Sequence, residues 1–170
     1  MSYGVGKISL GSDYSNINST ITVNVPLGTV FSISFWVKPY VNPLNQGART
    51  EYGKLIGYDA NNALFLHQVG AGALTLQLWI GGALKADIAI VEGEWRFVTL
   101  TADGTNVVLY VNSASVWSGV SAPDWITINK ICEQCSATID EIGLWEPKVL
   151  TPSEITQLYG GSAGLAYPFN

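Results

Sequence analysis

Short runs of alternating apolar and polar residues, each closed by turn-forming residues, recur along most of the chain. TITVNV (20–25), FSISFWVKPY (31–40), KLIGYD (54–59), ALFLHQV (63–69) and ALTLQLWI (73–80) open the series. ADIAIV (86–91), WRFVTLTA (95–102), NVVLYVN (106–112), DWITI (124–128) and ATIDEIGLW (137–145) complete it. A period of two sends successive side chains to opposite faces, so each run reads as a strand. Asp59-Ala60-Asn61-Asn62, Gly81-Gly82 and Asp103-Gly104 separate neighbouring runs with residues that reverse a chain. Short strands at this spacing predict an all-β sandwich or barrel and exclude a βαβ fold. With 170 residues and no internal repeat or linker, the chain reads as a single domain, 1–170. The longest irregular stretch, 41–53, is expected to be a surface loop.

One segment breaks the pattern. In LTPSEITQLYGG (150–161), Thr151 is placed to cap a helix that has Pro152 first and Glu154 reaching back to the cap. Leu150 and Ile155 are spaced as a hydrophobic staple, Ile155, Leu158 and Tyr159 share a face, and Gly160-Gly161 ends the run. The spacing predicts one short C-terminal helix near 152–159. Two turns do not stand alone in water, so the apolar face must dock, and the expected place is a sheet edge or an open end of the core.

Charge narrows the partners. The net charge is -5 and Lys and Arg are nowhere clustered, which argues against nucleic acid and anionic membrane surfaces. No run approaches a membrane span, so membrane insertion is not expected. The start, MSYGVGKISLGSDYS, has no basic stretch followed by an apolar block, so no signal peptide is visible. Only 12% of the residues are charged, against about 25% in a typical domain. Such a surface relies on Ser, Thr, Asn and Gly, which suits an all-β shell or a protein surrounded by neighbours. Cys132 and Cys135 form a lone C-x-x-C leading into a strand, without the further ligands zinc requires. They read as structural, either as free thiols or as a small loop disulfide.

FSISFWVKPY, GEWRFVTLTADGTNVVLYVNS and IDEIGLWEPKVLTPSEITQLYGG, in this order, resemble the laminin-G-like branch of the concanavalin A-like lectins and glucanases. The ending LYGGSAGLAYPFN is similar to endings of such domains in phage and bacterial proteins. The resemblance implies a two-sheet antiparallel jelly-roll sandwich. It implies that a structural calcium ion is bound in some members, with Asp140 as the matching ligand; the alternative is that Asp140 accepts backbone hydrogen bonds. It implies also that Trp95 is the core tryptophan.

Glucanases of this group carry alternating carboxylates on one strand, where an acid and a nucleophile flank the glycosidic bond. Here Asp140 and Glu141 are adjacent and point to opposite faces, and Glu92-Gly93-Glu94 precedes a strand as a solvated turn. His67 is the lone histidine and is expected in a structural role, so a hydrolase is disfavoured.

Tryptophans carry the functional signal. Phe31, Ile33, Phe35 and Val37 share one face, leaving Trp36 beside Ser32 and Ser34. Leu74, Leu76, Leu78 and Ile80 leave Trp79 with Thr75 and Gln77, and Ile142 and Leu144 leave Trp145 with Glu141 and Gly143. An indole among hydroxyls and amides is suited to a sugar ring, whose apolar face stacks while its hydroxyls hydrogen-bond. Each stacking contact is worth ~0.5–1.5 kcal/mol, so two or three give affinity of the order of millimolar, raised by multivalent display. Trp36, Trp79, Trp145, Gln77 and Glu141 are therefore the expected ligand-binding residues, with Trp117 and Trp125 secondary. The expected function is a non-catalytic carbohydrate-binding or adhesion module recognising a glycan or cell-surface polysaccharide. It would be displayed extracellularly or on a virion surface, beside other protein subunits of a phage particle. The alternative is a structural decoration or oligomerisation protein in which those tryptophans meet other subunits or are covered within the domain.

Overall fold

The computed structural model describes residues 20–41, 50–69, 72–120 and 127–160. Eleven strands and one helix are present among them: β1 (Ile21–Pro26), β2 (Val30–Pro39), β3 (Thr50–Gly57), β4 (Ala63–Val69), β5 (Ala73–Ile80), β6 (Ala83–Ile90), β7 (Arg96–Asp103), β8 (Asn106–Val111), β9 (Ala114–Val120), β10 (Thr127–Glu133), β11 (Ala137–Trp145) and α1 (Pro152–Tyr159). They form two antiparallel sheets, ordered β1-β10-β3-β4-β5-β6 and β11-β2-β7-β8-β9. This is the expected all-β jelly-roll sandwich.

The alternation places the core as the sequence requires. Phe31, Ile33, Phe35 and Val37 of β2 face Leu74, Leu76, Leu78 and Ile80 of β5 across one shared hydrophobic interior. Leu64 and Leu66 of β4, Val98 and Leu100 of β7, and Ile139 of β11 complete its centre. The β7–β8 hairpin turns at Asp103-Gly104, where Asp103 Oδ1 accepts the amides of Thr105 and Asn106 at 2.9 and 2.6 Å. The Asn106 side chain and these amides hold the Asp103 carboxyl below its ordinary range.

Two features depart from the sequence reading. β3 begins at Thr50, inside the stretch expected to be irregular, of which 42–49 lies outside the described residues. A strand not expected at all, β9, follows β8 through a two-residue turn at Asn112-Ser113, both residues left-handed at φ 50° and 64°. That turn uses Asn-Ser in place of the stronger Asn-Gly signal, and β9 alternates weakly, so neither was legible. Trp117 therefore lies on a strand, against the edge of the main core, with its ring over Gly119. Trp125 and residues 1–19 lie outside the described residues.

The helix forms as expected but docks elsewhere. Thr151 Oγ1 accepts the Glu154 amide, Glu154 returns a bond to the Thr151 amide, and Gly160 closes the C-terminus in the left-handed region at φ 57°. Leu150 and Ile155 then join Trp36 and Phe97 in a second apolar cluster, with Tyr110, Trp145, Leu158 and Tyr159 at its margin. Trp36 and Phe97 point away from the main core, so α1 roofs the outer face of the five-stranded sheet. It covers neither an edge nor an open end. Cys132, near the end of β10, and Cys135, in the turn to β11, form a disulfide, the second of the two states the sequence allowed. With α1 the longest helix described, no helix among the described residues is long and apolar enough to cross a membrane.

Candidate functional site

The five residues expected to bind a ligand divide between two opposite outer faces. Trp36, Trp145 and Glu141 belong to the five-stranded sheet, and Trp79 and Gln77 to the six-stranded one. They cannot form a single site.

Trp36 is only 7% exposed. Its ring centroid lies 5.2 Å from that of Phe97 and 5.8 Å from that of Tyr159, the latter nearly parallel at 28°. Beneath α1 the indole is a packing anchor with no face open for stacking. This corrects the expectation for Trp36, and the reason is physical: alternation fixes the side on which a residue projects and is silent about what lies there. Trp145 is half-buried at the rim of the same cluster, and its ring lies so close over Gly143 that a Cβ at that position would overlap it. Glu141 is the irregular residue of a bulge between Asp140 and Gly143, with φ 51°.

Trp95 stands before β7 in place of entering it, and is 41% exposed. Phe97 takes the buried position two residues later, so the expectation of a core Trp95 is also corrected.

Asp140 accepts the Glu141 amide at 2.8 Å through Oδ1, which is the hydrogen-bonding role the sequence left open for it. Among the described residues, no group of three or more His, Cys, Asp or Glu side chains is gathered to hold a metal ion. The carboxylates nearest to a glucanase arrangement are engaged in a turn: Glu92 Oε1 accepts the Val41 amide at 2.9 Å and Glu94 pairs with Arg96.

The outer face of the six-stranded sheet has a different character. β5 turns Leu74, Leu76, Leu78 and Ile80 inward, so Thr75, Gln77 and Trp79 project outward. On β4, His67 pairs in register with Thr75, Phe65 with Gln77 and Ala63 with Trp79. Four of these side chains form a polar chain across two strands. Trp79 Nε1 donates to Gln77 Oε1 at 3.0 Å, Gln77 Nε2 lies 2.8 Å from His67 Nδ1, and Thr75 Oγ1 lies 3.4 Å from the same nitrogen. Gln77 is 3% and His67 7% exposed, whereas Trp79 is half-buried and keeps part of its ring accessible. Farther along the face, Lys54 of β3 pairs with Glu133 of β10 at 2.8 Å. The pairing of β4 with β5 was legible as adjacent alternating runs; the bond from His67 to Gln77 was not, since it depends on register.

This geometry can do one thing well. A half-exposed indole whose N–H is fixed by a buried amide presents a ring face of set orientation, with hydroxyl and amide groups beside it.

Comparison with known proteins places the fold. Domain 4 of the arabinanase AbnA from Geobacillus stearothermophilus, solved with arabinotriose, superposes with a TM-score of 0.55 at 22% identity, covering 80% of this chain and 71% of that one. The binding domain of botulinum neurotoxin serotype D gives 0.57 at 20% identity, covering 91% of this chain and 42% of that one. The binding domain of Paraclostridial Mosquitocidal Protein 1 gives 0.54 at 19% identity, covering 95% and 46%. The chain thus spans less than half the length of the two toxin domains, and at such identities the likeness is one of fold. No curated protein matches the sequence significantly. The laminin-G-type model matches residues 10–156, and the chain therefore belongs to the concanavalin A-like lectin/glucanases superfamily.

Proposed function

We propose that the protein is a non-catalytic carbohydrate-binding module whose ligand stacks on Trp79 at the outer face of the six-stranded sheet. The observation that carries this reading is the part-exposed Trp79 indole held by Gln77. The superfamily includes lectins, and the AbnA domain solved with arabinotriose has the same fold. One aromatic platform gives weak affinity per site, so function calls for display in many copies, as on a phage particle or another extracellular assembly presented to a cell-surface polysaccharide. Trp145 and Glu141, on the opposite sheet, are a second and separate place for glycan contact.

A glycan array probed with a multivalent form of the folded protein tests the proposal. Retained binding by Trp36→Ala and lost binding by Trp79→Ala is the expected result. Binding that survives Trp79→Ala overturns the assignment of the site, and absence of binding at any valency overturns the function. Turnover of a β-glucan would overturn the non-catalytic reading.

The alternative, a structural or oligomerisation protein, is favoured by exposed apolar residues on two of the four edge strands. Val120 of β9 is 81% and Leu84 of β6 45% exposed. A stable oligomer dispersed by Val120→Lys, together with a blank glycan array, would move the assignment there.

A further inference from the structure

We propose that His67 is a positioning residue that sets the orientation of the Trp79 ring through Gln77, and that its protonation releases the ring. The inference rests on the reading of Trp79 as the ligand platform for its functional meaning, but the relay stands on its own chemistry. An indole nitrogen can only donate, so the group facing Trp79 Nε1 at 3.0 Å must be the Gln77 oxygen. The Gln77 NH2 group is then directed to His67 Nδ1 at 2.8 Å and needs an acceptor there. His67 Nδ1 must therefore be bare, and the neutral imidazole carries its proton on Nε2. The Thr75 hydroxyl, 3.4 Å from the same atom, is a second donor aimed at it. Direction is thus fixed along the whole chain by the one residue with no choice.

Protonation at His67 Nδ1 reverses that end of the chain. Two donors would then face each other between His67 and Gln77. If the amide turns over to accept from the imidazolium, its NH2 group meets the Trp79 N–H, and again two donors oppose. No orientation of Gln77 satisfies both neighbours. Because Gln77 and His67 are 3% and 7% exposed, water does not readily make up the loss, and Trp79 is left without its acceptor. Among the described residues, the charged groups nearby are few. From β3 comes Lys54, which is paired with Glu133 of β10. From β6 come Asp87, opposite Gln77, and Lys85 at the bulge beside Trp79. β5 contributes only the uncharged Thr75 and Gln77 to His67.

The test is nitrogen NMR on the intact, unliganded protein, following His67 and Trp79 as the pH is lowered. The Trp79 indole signal is identified by its loss in Trp79→Phe. The expected result is a neutral His67 protonated at Nε2, with the Trp79 N–H resonance shifting as the imidazole takes up its second proton. In His67→Asn, whose oxygen can accept from Gln77, the Trp79 resonance should stay near its neutral-pH position at every pH. A neutral His67 protonated at Nδ1, or a Trp79 signal indifferent to pH in the wild type, overturns the proposal. Glycan affinity should fall by roughly tenfold once the imidazole is protonated, the equivalent of one hydrogen bond. A relay seen by NMR with no glycan bound at any pH would sustain the positioning role and sink the carbohydrate reading. Glycan binding on Trp79 with an indifferent resonance would do the opposite.

Discussion

Ser32 and Leu150 meet across 118 residues of sequence: the Leu150 amide donates to Ser32 Oγ at 2.8 Å. The same hydroxyl donates to the Lys148 carbonyl at 3.0 Å. One fully buried side chain at the start of β2 thereby satisfies two backbone groups on the approach to α1. Ser32→Ala would leave both without a partner, at a cost of about 1–3 kcal/mol. Urea unfolding should show that loss, with hydrogen exchange accelerating first in α1.

The two tryptophans should separate cleanly. Trp36→Ala removes the ring that Phe97 and Tyr159 flank, and Ile155→Ala empties a fully buried position in the same cluster. Losses of about 3–5 and about 2–5 kcal/mol are expected, respectively. Trp79→Ala, at a half-buried position, should cost markedly less stability by thermal unfolding while abolishing binding on the array.

Thr99 is fully buried, and among the described residues its Oγ1 has no hydrogen-bond partner. Replacing that hydroxyl with a methyl group of similar size removes an unsatisfied polar atom at little cost in packing. Thr99→Val is expected to leave stability unchanged or raise it by about 1–3 kcal/mol. A measured destabilisation would mean that the hydroxyl has found a partner in solution.

The helix cap should persist into acid. The Lys148 ammonium, followed by the Thr151 amide and hydroxyl, holds the Glu154 carboxyl at about 2, down from 4.5. A lowered value means that the carboxylate form favours the folded state. Its contribution is complete above pH 4.5 and is lost as pH falls toward about 2. In Glu154→Gln the acid limb of the stability curve should flatten in that window, read by thermal unfolding at a series of pH values.

Much of this was legible because alternation is a local property. The inward sets on β2 and β5, the outward Trp36 and Trp79, and the capped helix all follow from a few neighbouring residues. What escaped depends on distant ones. The helix could be read at 152–159, but its landing place on Trp36 and Phe97 follows from the β11–β2–β7 order, which no local pattern carries. The same order sends Trp36 and Trp79 to opposite sides of the molecule. Gln77 was identified from its face alone, and His67 became its partner through the β4–β5 register.

That connectivity also sets a schedule. Among the described strands β1 hydrogen-bonds only to β10, and β2 has β11 as its outer neighbour. A nascent chain emerging from the ribosome therefore exposes two amino-terminal strands long before their carboxyl-terminal mates exist, with β7 relieving one side of β2 midway. Pairings so distant along the chain are slow to close, and lone strands attract other chains meanwhile. Stalled or prematurely ended translation should consequently yield sticky fragments, and expression should benefit from whatever shields Ile21–Pro39 until the last strands arrive.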